Sequence, residues 1–179
     1  MRSPMRPLVM LLLVLIIVMV RAWQLHGPDL EGQASIVDGD TLRIHGKRIR
    51  LAGIDAPEHD QLCLDAGGSI YQCGAMAANR LNDWIDRRPV NCTPVDHDQY
   101  DRTDARCSVA GLDIGEWLVS NGLALRYPQY DRPGRYIEAE ARAKASHAGL
   151  WRGRFLEPRQ FRSCMREGLR PAECSMPRS

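Results

Sequence analysis

No two of the six cysteines stand in a Cys-x-x-Cys pair, which makes structural zinc a poor explanation for them. No apolar run reaches the roughly 20 residues that a helix needs to cross a bilayer unaided. The longest, Leu8 to Val20, has 13. No internal repeat is visible, and 44% hydrophobic with 26% charged residues is neither a disordered nor a collagen-like composition. A length of 179 residues leaves room for one domain with its own core. Bulk positive charge is also missing. The formal charge is +2, and it becomes −1 once residues 1–22, with three arginines and no acid, are set aside. A chain that coats an anionic polymer by net charge is thereby excluded, and anion binding falls to local arginines. Six of these, Arg152, Arg154, Arg159, Arg162, Arg166 and Arg170, crowd the C-terminal stretch, which reads as a solvated tail. His45, His59, His97 and His147 lack the spacing of a metal or catalytic set.

What the N-terminus does have is Arg2 and Arg6 ahead of the apolar run, the layout of an export segment. Residues 1–22 are read either as a signal peptide, cleaved near Val20-Arg21-Ala22, or as an uncleaved anchor running on to Trp23. In both cases the arginines stay inside and the body is exported. The body is then expected in the periplasm, secreted, or tethered to the membrane facing outward. Six cysteines in such a chain predict disulfides, for which about 15 pairings exist. Proximity along the chain favours Cys63 with Cys73, Cys92 with Cys107, and Cys164 with Cys174.

Along the body, Ser35-Ile36-Val37, the turn pair Asp38-Gly39 and Thr41-Leu42-Arg43-Ile44 read as strand, sharp bend and strand. After the turn His45-Gly46, Arg48 to Leu51 alternates with period two, so Ile49 and Leu51 face the core and Arg50 faces away. Ala77, Leu81, Trp84 and Ile85 predict a helix from Cys73 to Arg87, stopped by Pro89. Val90 to Thr93 and Ala105 to Val109 are two further strands, joined by a polar stretch rich in Asp and Arg. A short helix around Ile114, Trp117 and Leu118 ends at Asn121-Gly122. Another, from near Pro133 to His147, presents Ile137, Ala141 and Ala145 on one face. Five strands and three helices define an α+β or small-barrel domain, with an Arg-rich appendage after it.

Two clusters carry the chemistry. Asp38-Gly39-Asp40-Thr41 alone is weak, because Asp-Gly is an ordinary hairpin pair and the later Gly and Glu of an EF-hand are absent. Arg50-Leu51-Ala52-Gly53-Ile54-Asp55-Ala56-Pro57-Glu58 sets a guanidinium and two carboxylates at the end of a strand, a trio that elsewhere forms surface ion pairs. Both clusters in order, one hairpin apart, are far more specific than either.

Together they resemble the thermonuclease family, the staphylococcal nuclease-like proteins, whose signature is an Asp-Gly-Asp-Thr turn, an Arg at a strand end, then Asp-x-Pro-Glu. Asp98-Gln99-Tyr100-Asp101-Arg102 stands where that family carries Asp-x-Tyr-Gly-Arg, and Gly122-Leu123-Ala124 is also typical. The resemblance covers residues 33–153, leaving residues 154–179 as an Arg-rich tail. It implies a five-stranded OB-fold barrel with three helices, and a calcium-dependent nuclease hydrolysing phosphodiesters of single-stranded or loosely paired DNA or RNA as a monomer. By the same resemblance Asp40, Asp55 and the Ala56 carbonyl hold Ca²⁺ with Asp38 behind them, and Glu58 activates water. Arg50 and Arg102 clamp the phosphate, and Tyr100 and Tyr130 contact substrate. Asp101 departs from the family's glycine and sets a carboxylate beside Arg102, and the insertion carrying Cys63 and Cys73 follows Glu58 directly. The rival is a degenerate OB module that binds nucleic acid or protein without cutting.

Overall fold

The computed structural model describes residues 30–97 and 103–175, together with Met10, Leu13, Leu15 and Ile16, which are helical. The predicted site residues Tyr100, Asp101 and Arg102 lie outside the described residues. Among the described residues no helix is long and apolar enough to cross a membrane.

Five strands close into a barrel. β1 (Leu30–Asp38), β2 (Thr41–Ile44) and β3 (Lys47–Leu51) form an antiparallel meander. β7 (Pro89–His97) pairs antiparallel with both β1 and β8 (Thr103–Val109), and β3 lies parallel to β8 with Arg50 opposite Asp104, closing the ring. A two-residue strand β9 (Leu112–Asp113) extends the β8 edge. The period-two alternation explains the interior. Leu42, Ile44, Ile49, Leu51, Val90, Ala105 and Val109 point inward and are almost fully buried, while Arg43, Lys47 and Arg48 face out.

Helix α1 (Cys73–Ile85) covers the barrel through Ala77, Ala78, Leu81 and Ile85. It stops before Pro89, because Asp86 and Arg87 both turn left-handed, and Pro89 instead opens β7. Trp84 stacks on Trp117 of α2 (Ile114–Ser120), with ring centroids 4.6 Å apart. Helix α3 (Ile137–Ala145) corrects the predicted face: Ile137, Ala141 and Ala145 are exposed, and Ala139 and Ala143 are buried beside Tyr136. Tyr136 decides this orientation, since its ring packs against Gly53 and Gly115 and draws the Ala139 side inward. The helix also starts later than Pro133, because Asp131 accepts the amides of Arg135 and Tyr136 and holds that stretch as a turn.

The short strands β4 (Ile54–Asp55), β5 (Cys63–Leu64), β6 (Ile70–Tyr71) and β10 (Leu125–Arg126) form two small ladders outside the barrel. The C-terminal stretch is not a solvated tail. Arg154 bridges to Leu64, and α4 (Pro158–Arg166) buries Phe161 to 1% exposure. After α5 (Pro171–Cys174), the Ser175 hydroxyl accepts the Leu62 amide at 2.9 Å. The reason is amphipathicity together with an anchor. The segment 58–64 supplies backbone partners, and a disulfide joins α4 to α5. All three expected bonds are present: Cys63–Cys73, Cys92–Cys107 between directly paired residues of β7 and β8, and Cys164–Cys174.

Candidate active site

The turn after β1 is built to press Asp40 inward. A Cβ on Gly39 would stand 2.7 Å from the Ala56 Cβ, so only glycine lets the turn lie this close to the following segment. Asp38 Oδ1 accepts the Asp40 amide at 3.2 Å. Asp40, 6% exposed, then receives the Thr41 hydroxyl on Oδ1 at 3.0 Å and the Ala56 amide on Oδ2 at 3.1 Å. Burial, and next the adjacent Asp40, push the Asp38 carboxyl up to about 7.

β4 brings Asp55 to the same place, held in register by β10 with Leu125 opposite it. Arg50 leaves β3 on the side away from Ile49 and Leu51 and enters between the two acids. Its Nη2 donates to Asp40 Oδ2 at 3.4 Å and to Asp55 Oδ1 at 3.1 Å. Burial works against the Arg50 charge, but Asp40 and Asp55 outweigh it and the guanidinium is held firmly protonated. For Asp55 burial dominates, and its carboxyl is raised despite the arginines around it.

Glu58 follows Pro57 at the edge of this cluster. Its amide donates to Gln61 Oε1 at 3.3 Å, and Gln61, fully buried, donates through Nε2 to the Leu156 carbonyl at 2.7 Å. The insertion thus ties the Glu58 loop to the C-terminal stretch. That stretch delivers a residue absent from the predicted set. Arg162 of α4 grips Asp55 with a fork, Nη1 to Oδ1 at 2.9 Å and Nη2 to Oδ2 at 3.2 Å, and Nη1 also donates to Glu58 Oε1 at 2.9 Å. Burial opposes its charge, yet the bonds to Asp55 and Glu58 hold Arg162 more firmly protonated than a free arginine. The only sequence signal for it is Pro158 at a helix start with Phe161 facing inward, and that places a helix, not a target.

Asp38, Asp40, Asp55, Ala56, Glu58 and Arg50 are therefore brought together. Tyr130 is not. It is 56% exposed, packs against Tyr127 at 4.8 Å between centroids, and borders a cavity of about 400 Å³ that also takes in Arg106, Arg132 and Arg135. A second cavity, about 370 Å³, opens beside Asp55 and is lined by Arg126, Tyr127, Lys144, Trp151 and Arg159.

Among the described residues no three His, Cys, Asp or Glu side chains gather as a ready metal cage. The implied set needs fewer: two carboxylates, a backbone carbonyl and waters. Asp40 and Asp55 both reach one guanidinium nitrogen, so a single cationic centre touches both. Hard oxygen donors beside a surplus of acids fit a hard divalent cation.

A closed OB-type barrel thus carries buried carboxylates and an arginine at the end of β3. The family described as "Staphylococcal nuclease homologue" matches residues 48–153, and the chain belongs to it. It is similar to the succinoglycan biosynthesis protein ExoI of Rhizobium meliloti, 41% identical over 123 residues, which are 68% of this chain and 64% of that protein. An uncharacterized endonuclease of Haemophilus influenzae is 32% identical over 133 residues, 71% of this chain and 69% of its own. A micrococcal nuclease of Shigella flexneri is 32% identical over 154 residues, 77% and 80% of the two chains. The chain thus spans less than two thirds of the first of these relatives. The family match includes Arg50, Asp55 and Glu58 but begins after the Asp38–Thr41 turn and ends before Arg162.

Proposed function

We propose that this chain is a calcium-dependent nuclease that hydrolyses phosphodiester bonds of DNA or RNA. The observation that carries the reading is the convergence of Asp40 and Asp55 on the Arg50 guanidinium, in a chain of a nuclease family. Asp40, Asp55 and the Ala56 carbonyl would hold the metal, and Asp38, whose carboxylate accepts the Asp40 amide, would support Asp40. A bound Ca²⁺ supplies charge neutralisation at the phosphate and a site for water. Arg50 offers a planar fork to the phosphate oxygens, which stabilises charge growing there in the transition state. Arg102 is assigned the same task by its family position. Glu58 orients the attacking water and takes its proton. Tyr130, exposed beside the Arg106 cavity, and Tyr100 are assigned contacts with the substrate by their family positions.

Incubating the full chain with single-stranded DNA and RNA in Ca²⁺, then in EGTA, tests this directly. We expect cleavage that EGTA stops and that Asp40→Ala abolishes while circular dichroism stays native. Full activity of Asp40→Ala would end the assignment, and tight binding without cleavage would favour the non-cutting module.

The compartment follows from two features. Three disulfides and the apolar run behind Arg2 and Arg6 support a place outside the cytoplasm, with the N-terminal segment either removed or acting as a tether. Recovery of the chain only from cytosol, with its thiols free, would refute this.

A further inference from the structure

We propose that α4 carries a built-in competitor for the metal: the Arg162 guanidinium occupies Asp55 and Glu58, and a divalent cation must displace it to complete the site. The proposal rests on the metal reading above and adds a regulatory element that lies outside the family match.

Arg162 uses the carboxylate almost fully. Asp55 Oδ1 accepts from Arg50 and Arg162, and Oδ2 accepts from Arg162 at 3.2 Å, so three of its roughly four lone-pair positions are taken. The third contact, Nη1 to Glu58 Oε1 at 2.9 Å, holds the carboxylate assigned to water. One side chain therefore blocks a metal ligand and the base together. It also serves the metal-free fold. Asp38, Asp40, Asp55 and Glu58 lie close together, and burial raises the energy of the charged forms of Asp38 and Asp55. A guanidinium is a cation that the chain supplies itself, and its planar fork matches a carboxylate.

The helix need not move for the exchange. Phe161 is 1% exposed, Cys164 is bonded to Cys174, and Ser175 is fixed to the Leu62 amide, so the backbone beneath Arg162 is anchored. The side chain itself is 25% exposed. Beside it opens a space of about 350 Å³ bordered by Glu58, Asp60, Met165 and Arg166, in which exposed Asp60 offers a new partner. Swinging there gives up its bonds to Asp55 and Glu58 and breaks no backbone contact.

The test measures metal binding apart from catalysis. Ca²⁺ affinity of the full chain is read by calorimetry for the wild type, Arg162→Gln, Arg162→Lys and the exposed control Arg166→Gln, with melting temperatures taken in EGTA and in Ca²⁺. Arg162→Gln should bind Ca²⁺ roughly tenfold more tightly, the scale of one charge-assisted hydrogen bond. It should melt lower in EGTA and gain more on adding Ca²⁺ than the wild type does. Arg162→Lys, charged but without the fork, should fall between, and Arg166→Gln should match the wild type. Unchanged or weaker affinity in both Arg162 variants overturns the proposal while leaving the metal reading intact. A raised KM for nucleic acid with unchanged Ca²⁺ affinity also overturns it, and makes Arg162 a phosphate ligand instead. If neither wild type nor Arg162→Gln binds Ca²⁺, both readings fall together.

Discussion

At Arg50, Asp40 and Asp55 both hold Nη2. Under the proposed function the planar fork is what the phosphate oxygens meet. Lysine keeps the charge but is a single point, so Arg50→Lys should lower turnover by at least about a hundredfold with the fold unchanged. Steady-state cleavage of single-stranded DNA checks this, and a near-normal rate would remove Arg50 from the phosphate. Tyr136 gives a pH dependence of known sign. It is 2% exposed and donates to Asp113 Oδ1 at 3.2 Å. Burial first, then Asp113, raise its pKa well above the usual value of 10.0. A raised phenol contributes stability that is fully present below the unfolded value and is lost as pH rises beyond it. Above pH of about 10 the wild type should therefore lose up to about 1.4 kcal/mol per pH unit through this group. Tyr136→Phe should be less stable by about 1 kcal/mol at pH 8, from the lost hydrogen bond, and the gap should close or invert by pH of about 11. Urea midpoints at both pH values measure it, and a gap that stays constant would show that Tyr136 does not carry the alkaline loss.

Between elements, the contact that sets the Glu58 loop is Gly74 in the first turn of α1. A Cβ there would fall 1.7 Å from the Glu58 carbonyl oxygen and 3.0 Å from the His59 Cα, both backbone. Alanine in a helix is favoured over glycine by about 1 kcal/mol. Against that, overpacking onto an immovable backbone costs about 1–3 kcal/mol, so the clash wins. Gly74→Ala should lower the melting temperature and, well below it, reduce turnover by displacing Glu58. A stabilised, fully active variant would show that the loop yields freely. Elements of this kind were unevenly legible in the sequence. β2, β3 and the helix over Cys73–Ile85 could be read because period two and period 3.6 are local, and Asp40, Arg50, Asp55 and Glu58 because they stand in short ordered motifs. Spacing alone points to the wrong face of α3, because Ile137-Ala141-Ala145 and Tyr136-Ala139-Ala143 both have helical spacing. Only packing of Tyr136 on Gly53 and Gly115 chooses between them. Arg162 was illegible for a plainer reason, since it meets Asp55 across 107 positions and no local pattern records such a contact.

As a whole the molecule is a closed barrel with a cap, and its disulfides divide along that line. Cys92–Cys107 cross-links β7 to β8 inside the barrel wall, where both residues are buried in the main core. Cys164–Cys174 closes a loop of 10 within the cap. Chain-entropy reasoning assigns them similar values, roughly 2.5–3 kcal/mol each, because loop length enters only logarithmically. Their consequences should nevertheless differ, because the cap has a smaller apolar interface to fall back on. It rests on Phe161, the Leu64–Arg154 bridge, the Gln61–Leu156 and Leu62–Ser175 bonds, and the Arg162 ion pairs. Replacing Cys92 and Cys107 with alanine should lower the single global transition. Replacing Cys164 and Cys174 with serine should instead allow the cap to open below that transition, since local opening draws on only the contacts that it breaks. Limited proteolysis distinguishes the two. The Cys164→Ser/Cys174→Ser chain should be cut between residues 157 and 175 under conditions where the barrel survives, and the Cys92/Cys107 variant should show no such early cut. Cleavage of the barrel and the cap at the same rate in the serine variant would mean that they unfold as one unit.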